Sequence, residues 1–252
     1  MAEGGRISCG EVNGMIGRLA LGEERGLLVQ IAPERLLGLP LLRGEPPGES
    51  FTARRVRRTA RALRRRGVRR VLAPEGFPFW REVWSQGLEP VETGELCRAL
   101  AAPIALAALE GLEIPPERAS VALRGERVTR SLRAAALELC PRVRQLLVEV
   151  PAGGEELRRE LRRTFGLPAV EPGAGRKAQL ALCFSPPGGA TGEGLDLSGP
   201  RPELAGFRFG LAEGALPPDV DALPLLAALW TAGRLSPGEM AVTCRPGPAR
   251  QL

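Results

Sequence analysis

SVALRGERVTRSLRAAALELCPRVRQLLVEVP, residues 120–151, is the stretch that decides the fold. A short apolar run over 120–124 leads into one glycine, Gly125. An amphipathic stretch over 127–139 follows, and a second apolar run, 144–150, carries Glu149 near its end. Strand, amphipathic helix and strand in that order make a βαβ unit. Its two strands must lie parallel, because a helix crossing back over the sheet returns the chain to the same edge direction.

The same alternation extends outward. Downstream, GEELRRELRRTFG (154–166) reads as a helix, LPAVE (167–171) as a short strand and AQLALCFS (178–185) as a buried strand. A Gly/Pro loop follows over 186–202, then a strand over 206–211 and a helix over 219–234 with Pro224 in its first turns. Residues 236–244 read as a strand or a turn of helix. Upstream, GLLVQIAP (26–33) reads as a strand, 44–50 as a turn or linker, 52–66 as a helix and 68–74 as a strand. Residues 77–87 read as a helix with Trp80 and Trp84 at core spacing, and 88–92 as a strand. TGELCRALAAPIALAALEG (93–111) is a long apolar helix with Thr93 as N-cap and a kink expected at Pro103. The domain boundary is placed within it. The expected architecture is α/β: a smaller N-terminal α/β domain over 1–100, a Rossmann-like parallel sheet over 101–245, and a tail over 246–252.

In a dinucleotide-binding βαβ unit, the loop after the first strand offers backbone N–H groups to the pyrophosphate, and three glycines allow the close approach. Here the loop reads Gly125-Glu126-Arg127-Val128-Thr129-Arg130, so one glycine remains and Glu126 brings a negative charge where phosphate would lie. Glu149, 24 residues beyond Gly125, stands near the place of the acid that accepts ribose hydroxyls. Ser185, at the end of another strand, would line the same cleft. Gly125, Glu126, Arg127, Glu149 and Ser185 are therefore the candidate ligand-binding residues.

The order of elements over roughly 88–234 resembles the two-domain shikimate dehydrogenase and methylene-tetrahydrofolate dehydrogenase type. There a long helix leads from an α/β substrate domain into a Rossmann domain and a C-terminal helix returns. The resemblance is one of layout and implies a dehydrogenase-type fold. Neither the Lys–Asp pair of the first family nor the Tyr–Lys arrangement of the second has a counterpart on this chain.

Composition narrows the chemistry. The 252 residues contain no His and no Tyr, Lys177 is the only lysine, and Asp196, Asp219 and Asp221 are the only aspartates. Ser-His-Asp catalysis, Cys-His catalysis and His-ligated metals are excluded, which leaves carboxylates, thiols and Lys177 as acids or bases. Cys9, Cys97, Cys140, Cys183 and Cys244 are scattered without a CxxC pair, arguing against a disulfide framework or a thiolate metal site. No metal is expected. No secretory signal or membrane-spanning run is read, and a cytoplasmic setting is expected. Cys183 reads as a core thiol. Cys97, near a helix start, is the one thiol whose pKa a helix dipole could lower.

Charge is uneven. The net charge is +6, but residues 51–70 hold ten arginines and no acid, leaving −4 for the remainder. In the helix 52–66, Val56, Ala60 and Leu63 form the apolar stripe and arginines fill the opposite arc. Arg54, Arg58, Arg61 and Arg65 are the candidate anion- or partner-binding residues, with nucleic acid as a weak partner at low salt. The basic stretch 155–163 differs, because its arginines have acids at helical neighbour spacing. Three readings follow: a non-catalytic protein binding a small ligand or protein partner; a divergent oxidoreductase using NAD(P), no cofactor being expected under the first reading; and a nucleic-acid-associated protein acting through the arginine helix.

Overall fold

The computed structural model describes residues 15–22, 28–166, 178–186 and 194–245. The strand expected at 167–171 and the tail 246–252 lie outside these. The chain divides into two compact units, residues 1–91 with 218–221, and residues 92–217 with 222–252.

The first unit is a mixed sheet with helices. Its elements are β1 (Ile16–Leu19), β2 (Gln30–Leu36), β3 (Leu39–Glu45), α1 (Ala53–Arg65), β4 (Arg70–Leu72), α2 (Trp80–Trp84) and β5 (Glu89–Pro90). The sheet order is β2-β3-β1-β4-β5, parallel except for the antiparallel β2–β3 hairpin at one edge. That hairpin turns on Leu37 and Gly38, both at positive φ. A non-glycine residue carries half of the turn, so the sequence LGLP gave little turn signal. Helix α1 begins where the Thr52 side chain accepts the Arg55 N–H. Its face Val56, Thr59, Ala60 and Leu63 is buried. Val56, Ala60 and Leu63 join Leu19, Val68, Val71 and Val83 in the core of this unit. Gly17 and Gly44 let the helix lie close to the sheet: a Cβ on Gly44 would stand 2.9 Å from the Thr59 methyl and 3.0 Å from Leu63. Phe77 anchors an aromatic group, edge-on to Phe51, Phe79 and Trp80. Trp80 packs against the core, whereas Trp84 is 50% exposed, so the expected pair of core tryptophans is half right. Helix α2 ends at Trp84.

The second unit holds α3 (Gly94–Ala99), α4 (Ala101–Gly111), β6 (Ser120–Arg124), α5 (Arg130–Leu139), β7 (Gln145–Glu149), α6 (Gly154–Phe165), β8 (Leu180–Cys183), β9 (Leu195–Asp196), β10 (Phe207–Leu211), α7 (Ala222–Thr231) and β11 (Met240–Cys244). Its main sheet runs β7-β6-β8-β9 with every pairing parallel. The first crossover goes to one side of β6 and the next to the other, giving a Rossmann-like α/β sheet with a topological switch point between β6 and β8. The parallel arrangement expected for 120–124, 144–150 and 178–184 is the one observed. Strand β9 was read as loop: two residues beside Gly194 carry no pattern. Strands β10 and β11 form a separate antiparallel pair.

The helix expected over 93–111 is two helices. The break falls at Leu100 rather than at Pro103. Proline has no N–H to give and its ring clashes with the carbonyl four residues back, here Ala99. Ending α3 at Ala99 and restarting at Ala101 puts Pro103 in a first turn, where no such bond is needed.

Candidate functional site

The ends of four strands meet at the carboxyl edge of the main sheet. The parallel register sets Glu149 beside Arg124, Arg124 beside Cys183 and Cys183 beside Asp196. This row of carboxylate, guanidinium, thiol and carboxylate lies where ligands bind in open parallel sheets.

Several polar groups in the row and in the described loops above it have partners. Glu149 accepts from Arg124 Nε at 2.6 Å, so its carboxylate is already held by a cation one strand away. The Gly125 N–H faces the Glu149 carbonyl at 3.4 Å. The Glu126 N–H donates to Ser185 Oγ at 3.0 Å, joining the loops after β6 and β8 across the switch point. The Val128 N–H donates to the Ala152 carbonyl at 2.9 Å, and the Ala152 N–H to the Glu126 carbonyl at 3.2 Å. Arg127 and Ala152 thereby form a parallel bridge that continues the β6–β7 ladder past the glycine.

The helix expected over 127–139 consequently starts at Arg130, with Thr129 as its N-cap accepting the Leu132 N–H at 3.2 Å. Residues 126–128 are spent on the ladder rather than on a tight phosphate loop. Gly125 itself is not in the left-handed region; Gly153, at φ 83, is the glycine that needs its freedom, at the entry to α6.

The structure thus brings Gly125, Glu126, Glu149 and Ser185 together, while the exposed Arg127 side chain stands on the bridged segment. Sequence reasoning did not single out Arg124 or Asp196. Arg124 was legible in principle: pairing the two five-residue strands in parallel sets their last residues, Arg124 and Glu149, side by side. Arg158, which donates to the Val148 carbonyl at 3.0 Å, needed the tertiary structure.

Burial raises the thiol pKa of Cys183 at the site and that of Cys97 in the core. Burial is the main cause that pushes Cys183 up, with Arg124 opposing and the carboxylates of Asp196 and Glu149 assisting. Cys97 is fully buried, and desolvation pushes its thiol up to about 11 against weaker opposing effects from Thr93 and Arg98. The helix dipole does not prevail, because the thiol sits in the core. A thiol whose folded pKa exceeds its unfolded one keeps its proton longer when folded. Stability is then complete below pH 9 and is lost as pH rises from 9 toward about 11. Urea denaturation at pH 7, 9 and 10 is expected to show stability falling above pH 9, by about 1 kcal/mol between pH 9 and pH 10 from Cys97. Cys97→Ala should flatten that slope.

A groove of about 840 Å³ in the second unit is lined by Leu106, Ala107, Glu110, Ile114, Pro116 and Arg142, among others. Ile114 and Pro116 precede β6, so the groove lies toward the amino ends of the strands and away from the row just described. Among the described residues no His/Cys/Asp/Glu group suited to a metal ion is present, and no helix is long and apolar enough to cross a membrane.

Arg54, Arg58, Arg61 and Arg65 are all exposed along one face of α1. Arg61 donates to Gln86 Oε1 at 3.0 Å.

No family model and no curated protein matches this chain. Among solved structures it is similar to L-tryptophan dehydrogenase from Nostoc punctiforme, at 17% identity and a TM-score of 0.27, over 68% of this chain and 56% of that one. The Rossmann-like sheet follows from the chain's own strand order β7-β6-β8-β9 and its parallel pairings.

Proposed function

We propose that the protein is a non-catalytic binding scaffold, a Rossmann-like domain whose nucleotide crevice is closed by its own groups and which serves a small ligand or a protein partner instead. The observation that carries this reading is the Glu126 N–H to Ser185 Oγ hydrogen bond across the switch point. Pyrophosphate binding in this fold needs backbone N–H groups that face the crevice unoccupied. Here those of Gly125, Glu126 and Val128 already have acceptors. Ribose recognition uses both oxygens of an acid at this place, and Glu149 already gives Oε2 to Arg124. The residue set adds to this: without His or Tyr, hydride transfer would lack its usual proton donors.

Calorimetric titration with NAD, NADH, NADP and NADPH is the test. No tight binding is expected for any of the four. A dissociation constant in the low micromolar range, lost on Glu149→Ala, would overturn the reading in favour of a divergent NAD(P)-dependent oxidoreductase.

A further inference from the structure

Helix α1 carries Arg54, Arg55, Arg57, Arg58, Arg61, Arg64 and Arg65, and Arg66 follows at its C-cap. All but Arg55 are exposed. Among the described residues none of the eight forms an ion pair with a carboxylate. There is no acid in the first turn, where the helix dipole favours one, and Arg54 and Arg55 stand there instead. Arg54 and Arg58, Arg57 and Arg61, and Arg61 and Arg65 are like-charged neighbours four apart, a spacing that opposes the helix.

Helix α6 is an internal control for codon or compositional bias. It is also rich in arginine, yet Glu155 pairs with Arg158 and Arg159, and its Glu160 takes a bidentate contact from Arg133 on α5. Among the described residues, the same chain pairs arginines of α6 with acids and pairs none of those of α1.

We infer that the outer face of α1 is a docking surface for the phosphate backbone of a nucleic acid duplex, read without regard to sequence. This goes beyond the scaffold reading and does not depend on it. The helix is about 20 Å long, and Arg54, Arg58, Arg61 and Arg65 rise along it in one stripe at about one turn, 5.4 Å, per step. A regular row of guanidinium forks suits a regular row of phosphates, each of which offers two oxygens to a fork. A lipid surface fits less well: an interfacial helix must offer an apolar face to the acyl chains, and the apolar stripe of α1 (Val56, Ala60, Leu63) is buried in the core of the first unit. Single strands are held largely by base stacking, and α1 carries no aromatic residue. Its exposed face has no Asn or Gln for base edges, which makes the contact one of position and charge.

The test is fluorescence anisotropy of the full chain with two labelled 20-base-pair DNA duplexes of unrelated sequence. Both are expected to bind alike at 50 mM salt. With about four phosphates neutralised, affinity should fall about 50-fold by 150 mM. Changing Arg54, Arg58, Arg61 and Arg65 together to Gln should weaken binding at 50 mM salt by roughly tenfold or more and remove most of the salt slope of what remains, with the circular dichroism unchanged. Arg58→Gln with Arg61→Gln, a milder change, should remove about half of the slope. Arg118, Arg142, Arg159 and Arg163, all exposed, supply the matched control, since their change to Gln lowers the net charge equally. The control is expected to keep at least half the affinity. Equal loss in both quadruple variants, no duplex binding at 50 mM, or stronger binding to phosphatidylserine vesicles or polyglutamate would each overturn the inference.

Discussion

Gly94→Ala is expected to destabilise the second unit by about 3 kcal/mol. The segment Leu197–Pro200 lies across the first turn of α3, held by four of its carbonyls. The Thr93 and Gly94 N–H groups both donate to the Pro200 carbonyl at 2.9 Å, and Arg98 donates to those of Leu197, Ser198 and Gly199. Gly94 sits under that strap. A Cβ there would overlap the carbonyl oxygen of Gly199, which is backbone and cannot rotate away. Relief requires lifting the strap and stretching the two bonds to Pro200. Overpacking of this kind costs about 1–3 kcal/mol, and about 1 kcal/mol more for each hydrogen bond lost. The better helix propensity of Ala offsets about 1 kcal/mol. In a thermal melt this is a fall of roughly 6–12 °C. Gly210→Ala is the comparison, since a Cβ there meets nothing within 4 Å. A loss no larger than that of Gly210→Ala would show that the strap is not held closely.

Arg18→Met is expected to cost the first unit about 3 kcal/mol. Arg18 lies on β1 in the middle of the sheet, its side chain 5% exposed, and its guanidinium holds two carboxylates. One is Glu34 on β2, at 2.5 Å, and the other is Asp219. The Asp219 contact, with the Asp221 N–H donating to the Ala73 carbonyl at 2.9 Å, fastens residues 218–221 to this unit. Methionine fills much of the volume but leaves two carboxylates with no cation between them. Breaking a buried pair from one side costs about 3–5 kcal/mol, and the lower end applies because the Asp219 side chain is 53% exposed. The combined variant Arg18→Met, Glu34→Gln, Asp219→Asn is expected to recover most of the loss, since no charge is then left unpaired. Urea denaturation of both variants separates the outcomes. Failure of the triple variant to recover would mean that the arginine acts through packing rather than charge.

The main sheet was legible because periodicity alone distinguishes a buried parallel strand from an amphipathic crossover. The apolar runs 120–124, 144–150 and 178–185 and the helices between them became β6, β7, β8, α5 and α6 in the expected parallel pairing. The apolar stripe of α1 was legible for the same reason, since Val56, Ala60 and Leu63 recur at helical spacing and are fully buried. What escaped was short or nonlocal. The two residues of β9 and the Leu37–Gly38 turn carry too little pattern to read.

At the candidate site, sequence proposed Gly125, Glu126, Glu149 and Ser185 as a group, because strand ends and loop spacing are local properties of a βαβ unit, and the structure brings the four near one another. How their polar groups pair was not local. It depends on a serine 59 positions from the N–H it accepts and on an arginine one strand away from the acid it holds. Arg18 makes the same point in the first unit: IGRLA shows a polar residue in an apolar run, but its partners come from 16 and 201 positions away. Hydrophobic spacing is written along the chain and determined the elements and their faces. The pairing of buried polar groups is settled by which ends the folded sheet brings together, and that was decided only in three dimensions.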